Sequence, residues 1–237
     1  MNYLNIAAYK FITLTELPTL RTVLKSRASE NCLKGTILLS NEGINIMLAG
    51  LSEQIAAFKQ FLEKDSRLSD LSYKESFSNE ITYNRLLVKI KKEIISFNIE
   101  NIDPAKTPAP YIESKALKLL LDKENDVILL DTRNDYEVVE GSFENAAHLN
   151  IQHFTQFPAA IEQLDSSLKE KTIITFCTGG IRCEKAAVYM LQQGFKNVYQ
   201  LKGGILEYFK ECGSAHFQGQ CFVFDKRIKV GENLNEE

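Results

Sequence analysis

Apolar and polar positions along this chain fall into short runs with two different periods. Tyr3 to Leu14 predicts a strand and Leu17 to Ser29 a helix. Thr36-Ile-Leu-Leu-Ser40 and Ile44-Asn-Ile-Met-Leu48 flank Asn41-Glu-Gly43, which predicts a hairpin whose turn draws on the backbone freedom of Gly43. Ser52 is placed to N-cap a helix running to about Lys64, with Ile55, Phe58, Phe61 and Leu62 on one face. A strand near Tyr73 and another from Leu86 to Ile95 complete the order β-α-β-β-α-β, with room for one extra strand.

That order is the ferredoxin-like α+β pattern. Such a fold is a platform and names no function by itself. Three of the five prolines, Pro104, Pro108 and Pro110, crowd into Asp103 to Tyr111. Proline at this density breaks helices and favours extended chain, so a linker is predicted there. The expected layout is an N-terminal domain over 1–101, a linker over 102–111, a second domain over 112–212 and an extension over 213–237.

The chain is 237 residues long with 44% hydrophobic residues, enough for one or two domains with cores of their own. No apolar run has the length needed to cross a bilayer, so no membrane partner is expected. Met1-Asn-Tyr-Leu-Asn lacks the basic segment that leads into a signal-peptide core. Five irregularly spaced cysteines make no disulfide framework, and His148, His153 and His216 show no metal-ligand spacing. The expectation is a cytoplasmic protein without a structural metal.

Residues 173–190 carry the chemistry. Thr172 to Phe176 predicts a buried strand, and Glu184 to Gln193 a helix. Between them Cys177 is followed by Gly179, Gly180 and Arg182. Paired glycines let the backbone curl with N–H groups turned inward. The following helix aims its N-terminal dipole and free N–H groups into the same hollow. Those surroundings lower a thiol's pKa, and Arg182 adds a cation that cannot deprotonate. A lone cysteine ending a core strand ordinarily packs as a small hydrophobe. Strand, cysteine, glycines, arginine and helix together point instead to chemistry. Cys177 and Arg182 are the candidate catalytic residues, and Thr178, Gly179, Gly180, Ile181 and Cys183 complete the loop. Cys183 has two readings, a residue facing core or solvent, or a thiol that attacks a sulfur on Cys177.

Four residues separate Cys177 from Arg182, whereas protein tyrosine phosphatases need five to wrap a phosphoryl group. The smaller ring resembles the rhodanese loop, which cradles a persulfide sulfur. Val127-Ile-Leu-Leu-Asp-Thr-Arg133, followed by Tyr136-Glu137 and Gly141-Ser-Phe-Glu-Asn-Ala146, resembles the rhodanese strand ending in Asp-x-Arg and its next turn. The histidine and proline usual in that turn are missing. Asp131 and Arg133 read as a structural pair bracing the sheet rather than as catalysts. Val198-Tyr-Gln-Leu-Lys-Gly-Gly204 resembles the closing rhodanese strand and its Gly-Gly turn. The resemblance implies an α/β domain with a central, mainly parallel sheet over 112–212.

In the N-terminal part, Arg85, Lys89, Lys91 and Lys92 lie on and beside one predicted strand. Clustered cations on a sheet attract nucleic-acid phosphates. The same lysines also fit a solvated sheet edge protected from pairing. A net charge of −3 does not suit a general nucleic-acid binder.

Four segments occur in order along the chain. They are Lys34-Gly-Thr-Ile-Leu-Leu-Ser-Asn-Glu-Gly-Ile-Asn45, Phe176-Cys-Thr-Gly-Gly-Ile-Arg-Cys-Glu-Lys-Ala186, Gly203-Gly-Ile-Leu-Glu-Tyr208 and Phe222-Val-Phe-Asp-Lys-Arg227. Together they resemble the rhodanese-containing tRNA uridine hydroxylases over essentially the full chain. That family uses molecular oxygen to make 5-hydroxyuridine at the wobble position of tRNA. The resemblance therefore implies tRNA, through its anticodon arm, as partner, molecular oxygen as co-substrate, and Cys177 as the essential cysteine, carrying a persulfide. Many members end in a cysteine-rich tail, where this chain has only Cys212 and Cys221. No flavin or nicotinamide fingerprint and no evident iron site appear, so no cofactor is identified. Two other functions fit the loop. One is a sulfurtransferase fed by thiosulfate or another sulfur donor such as a protein persulfide; the other is a non-catalytic binding module. The intact Cys177 and Arg182 argue against the latter.

Overall fold

The computed structural model describes residues 2–123 and 126–234. They form two compact units. The first takes residues 2–95 together with Phe224–Arg227, and the second takes Ser96–Val223 with residues 228–234.

In the first unit the elements run β1 (Tyr3–Phe11), α1 (Leu17–Glu30), β2 (Lys34–Ser40), β3 (Gly43–Leu51), α2 (Ser52–Leu62), β4 (Lys74–Ser78) and β5 (Leu86–Ile90). The sheet order is β4-β1-β3-β2-β5. The β4-β1-β3-β2 portion is the ferredoxin-like arrangement, completed by β4. β5 is the extra strand, pairing parallel to β2 at the edge, and it ends at Ile90 rather than Ile95. The predicted hairpin forms with Ser40 opposite Gly43. Gly43 sits at φ 153°, and a Cβ there would lie 2.1 Å from the Lys10 carbonyl oxygen, so no other residue fits this turn. Ser52 is the first helical residue of α2 rather than its cap. Leu51 occupies the cap position, and the Gln54 side chain accepts its N–H at 3.0 Å. Gln54 in the first turn thus satisfies the N–H of the cap residue itself, the half of a capping box that the third helical position contributes, and does not replace the cap expected of Ser52. Ile6, Ile37, Leu39, Ile44, Ile46 and Leu48 pack against Leu24 and Ala28 of α1 and Ile55, Phe58 and Leu62 of α2.

Asp225 and Arg227 belong to this unit and pair through two arginine nitrogens, at 2.9 and 2.6 Å, with their side chains almost fully buried. The third arginine nitrogen donates to Ser76 of β4 at 2.8 Å, and the Lys226 N–H donates to the Thr82 carbonyl. This accounts for the Phe-Asp-Lys-Arg stretch as a clasp on its own sheet.

The second unit contains β6 (Tyr111–Ile112), α3 (Ser114–Asp122), β7 (Val127–Asp131), α4 (Asp135–Val138), β8 (Gly141–Phe143), β9 (Ala147–His148) and α5 (Phe157–Glu162). It continues with β10 (Thr172–Phe176), α6 (Ile181–Gln192), β11 (Asn197–Leu201), α7 (Gly204–Cys212), β12 (Phe217–Gly219), β13 (Cys221–Phe222) and β14 (Lys229–Val230). Its main sheet, ordered β6-β11-β10-β7-β9, is parallel at every pairing. Parallel strands need both faces covered, which is why β7 is an apolar run up to Asp131 and four of the five residues of β10 are buried. Ile174 and Phe176 of β10 pack with Leu117 of α3 and Ile205, Tyr208 and Phe209 of α7. The predicted linker does not run free. The Ala109 and Pro110 carbonyls accept hydrogen bonds from Gln200, and just upstream of the linker Phe97 is buried against Phe154, Phe157 and Tyr189. The boundary between units accordingly falls after Ile95, upstream of the prolines.

Candidate active site

Cys177 follows the last residue of β10, at the carboxyl end of a parallel sheet, where α/β folds bind ligands. The loop turns at Gly180, whose φ of 96° places it in the left-handed region as the cap of α6. α6 begins at Ile181, earlier than the apolar spacing predicts, so Arg182 and Cys183 lie in its first turn. The carbonyls of Cys177 and Thr178 face outward and accept the N–H groups of Ile205 and Leu206, at 2.9 and 3.1 Å, from the start of α7. With its carbonyls held there, the loop turns N–H groups toward the sulfur, and Gly180 donates to Cys177 Sγ at 3.1 Å. Gly204 makes this approach possible. A Cβ at that position would sit 2.4 Å from the Cys177 carbonyl oxygen and 2.7 Å from the Gly180 nitrogen.

The sulfur is buried, 1% exposed. Burial alone pushes a thiol pKa up. At Cys177 the hydrogen bond from the Cys183 thiol, the Arg182 charge and the N–H groups of Arg182 and Gly180 outweigh it, bringing the thiol down to about 5. Cys221 supplies the contrast. It is equally buried, and burial takes it up to about 12 despite the nearby Arg133. The difference between these two thiols lies in what surrounds them. Cys183 faces the core, with Thr132 Oγ1 3.7 Å from its sulfur, and burial together with its bond to Cys177 raises its pKa well above the thiol range. The two sulfurs share their protons as a pair, with Cys177 holding the charge.

The charge should be visible by titration. Thiolate absorbance in the ultraviolet, taken as the difference between wild type and Cys177→Ser, should rise as pH increases through about 5 and be complete by neutrality. Below that pH Cys177 is protonated. A midpoint in the ordinary thiol range near 8.5 would remove the cradle argument.

Arg182 is held by an acid that the sequence reading did not assign to the site. Its two terminal nitrogens donate to Glu137 at 2.5 and 2.7 Å, and the Glu137 side chain is fully buried. Glu137 Oε2 also accepts the Asn134 N–H at 3.1 Å. The arginine fork thus grips Glu137 while its charge acts on Cys177. Glu137 stood in view in the Tyr136-Glu137 stretch; the signal was that a buried arginine needs an acid partner. Asp131 and Arg133 form a second buried pair, with bonds of 2.9 and 2.6 Å. Arg133 also donates to the Gly141 carbonyl at 2.6 Å, and Ser142 Oγ donates to Asp131 at 2.7 Å, so the pair ties the end of β7 to β8.

Thr178 donates to the Phe222 carbonyl at 3.2 Å, while Gly179 and Ile181 are the loop's partly exposed points. Arg85, Lys89, Lys91 and Lys92 belong to the first unit and are all exposed, along and beside the edge strand β5. The Lys91 N–H donates to the Leu39 carbonyl, which ties this segment to β2. Among the described residues, no group of three or more His, Cys, Asp or Glu side chains is arranged to hold a metal ion. No helix among them is long and apolar enough to cross a membrane.

An acylphosphatase-like unit and a rhodanese-like unit with an intact cysteine loop define the class. Residues 3–94 match the UPF0176 acylphosphatase-like domain and residues 113–211 the rhodanese-like domain. The chain is 50% identical to the tRNA uridine(34) hydroxylase of Bordetella petrii, over 97% of this chain and 93% of that protein. It is 48% identical to that of Variovorax paradoxus, over 98% and 90%, and 47% identical to that of Cupriavidus metallidurans, over 99% and 85%. The chain belongs to the tRNA uridine(34) hydroxylase family.

Proposed function

We propose that this protein hydroxylates the wobble uridine of tRNA to 5-hydroxyuridine, with molecular oxygen as co-substrate and Cys177 as the reacting residue. The observation that carries this reading is 50% identity, over 97% of this chain, with a tRNA uridine(34) hydroxylase, together with a buried Cys177 whose sulfur takes the N–H groups of Gly180 and Arg182. A tRNA substrate places the protein in the cytoplasm. Cys177 is loaded with sulfur first. Its thiolate attacks the outer sulfur of thiosulfate or of a protein persulfide; the S–S bond of the donor breaks, and sulfite or the donor thiolate leaves. The outer sulfur then carries the negative charge, which Gly180, the Arg182 N–H and the start of α6 stabilise. Arg182, Glu137 and Cys183 hold the loop and its charge, and Asp131 and Arg133 brace the strand before it. Arg85, Lys89, Lys91 and Lys92 bind tRNA phosphates and add salt-dependent affinity without selecting the base.

The test is complementation of a strain lacking the gene, read by mass spectrometry of tRNA nucleosides. Wild type should restore 5-hydroxyuridine derivatives, and Cys177→Ser should leave them at the deletion background. Full restoration by Cys177→Ser would end the proposal. So would a deletion strain that loses thiolated nucleosides while keeping 5-hydroxyuridine, which is the outcome for a sulfur relay.

A further inference from the structure

Tyr136 is 45% exposed although it immediately precedes Glu137, which is fully buried. Single exposed hydrophobic side chains are ordinary. This one differs in three respects. Its hydroxyl accepts a hydrogen bond from Asn134 Nδ2 at 3.0 Å, which fixes the ring. Its ring meets that of Phe222 edge to face, with centroids 5.4 Å apart and planes at 76°. Both residues are bonded into the Cys177 loop through neighbouring groups. The Phe222 carbonyl takes the Thr178 hydroxyl, and Glu137 takes Arg182. Val139, 83% exposed and three residues along from Tyr136, adds apolar surface to the same short helix end.

We propose that the Tyr136–Phe222 ring pair is a stacking platform for an unstacked pyrimidine base of RNA, held beside the Cys177 loop. This rests on the hydroxylase reading above and names residues that would hold its base. Single-stranded RNA bases are recognised largely by stacking on aromatic side chains, because every base offers a π-face. An edge-to-face pair uses only one ring face internally, so the pair keeps aromatic surface for a ligand. A ring already fixed by its own hydroxyl loses little side-chain freedom when a base settles on it. The platform also divides the work sensibly. Phosphate contacts give affinity for any RNA, whereas a ring pair tied to the Cys177 loop acts on the one base that has left its stack.

The experiment uses the full chain and an anticodon stem-loop RNA with a fluorescent pyrimidine at the wobble position. Wild type should bind it and quench the fluorophore by stacking. Tyr136→Phe keeps the ring and should retain quenching. Tyr136→Leu keeps apolar bulk without a π-face and should bind about tenfold or more weakly, without quenching. Phe222→Leu, made separately, should also reduce quenching, and melting curves show that each variant is folded. Wild-type binding and quenching by Tyr136→Leu would overturn the inference. Equal losses in Tyr136→Phe and Tyr136→Leu would overturn it too, since the ring face would then not matter. A wild-type protein that leaves the RNA unbound refutes the hydroxylase reading itself, a different result from either of these.

Discussion

Replacing Glu137 by alanine is expected to destabilise the protein by about 3–5 kcal/mol, the usual cost of leaving one member of a buried ion pair without its partner. Arg182 is 5% exposed, and both of its terminal nitrogens are engaged by Glu137. The alanine variant would strand a guanidinium where water cannot reach it. Glu137→Gln keeps the shape and one acceptor but loses the charge, so its loss should be smaller. The two variants also separate stability from sulfur chemistry. Removing a negative charge from beside Arg182 leaves more positive field on Cys177, so in Glu137→Gln the thiolate should form at the same pH or lower. Arg182→Lys works in the opposite sense. It keeps a cation but cannot fork onto Glu137, so the loop should loosen and the Cys177 midpoint should rise. Urea denaturation and the ultraviolet titration measure both quantities. A loss below about 1 kcal/mol in Glu137→Ala would mean that Arg182 finds another partner and that the pair does not organise the loop.

The second large effect belongs to a residue without a side chain. Gly204→Ala combines a φ of +68° with a Cβ 2.4 Å from a backbone oxygen, neither of which a rotamer change can relieve. About 2–5 kcal/mol of destabilisation is expected from left-handed strain plus overpacking. The damage should be directed. Moving α7 away breaks the Ile205 and Leu206 bonds to the Cys177 and Thr178 carbonyls, so the loop relaxes and the Cys177 pKa climbs. Gly179→Ala is the control. Nothing lies within 4 Å of a Cβ there, and a change within about 0.5 kcal/mol is expected. If the two alanine variants melted together, the close approach of α7 to the loop would carry no energetic weight.

The cysteine loop was legible because everything that defines it is local. A strand, Cys177, two glycines and a helix start are read within about a dozen adjacent residues. The hairpin at Gly43 was legible for the same reason, since its register follows from a short turn. What escaped was decided at a distance. Glu137 meets Arg182 across 45 positions, and no period in the sequence joins them. β5 reads as apolar and basic, but its parallel pairing with β2 leaves no hairpin signal, so nothing local marks its end at Ile90. The proline-rich stretch reads as non-helical, yet local composition says nothing about Gln200, whose amide groups bond to it. Gly203-Gly204 was visible as a turn, whereas its value as a passage for backbone against backbone needs α7 in place.

The clasp formed by Asp225 and Arg227 has a consequence for how the chain is born. Ser76 and Arg227 are 151 positions apart, yet they complete the same small unit. On the ribosome, the strands of residues 2–95 emerge first and can pair at once, as local and hairpin contacts form quickly. Their last piece is not synthesised until residues 96–223 of the rhodanese-like unit have been made. Through that interval β4 stands at the edge of a sheet without the Arg227 contact, and an incomplete edge is where newly made chains adhere to one another. A polypeptide released early, anywhere between residues 95 and 224, would keep the platform permanently in that unfinished state.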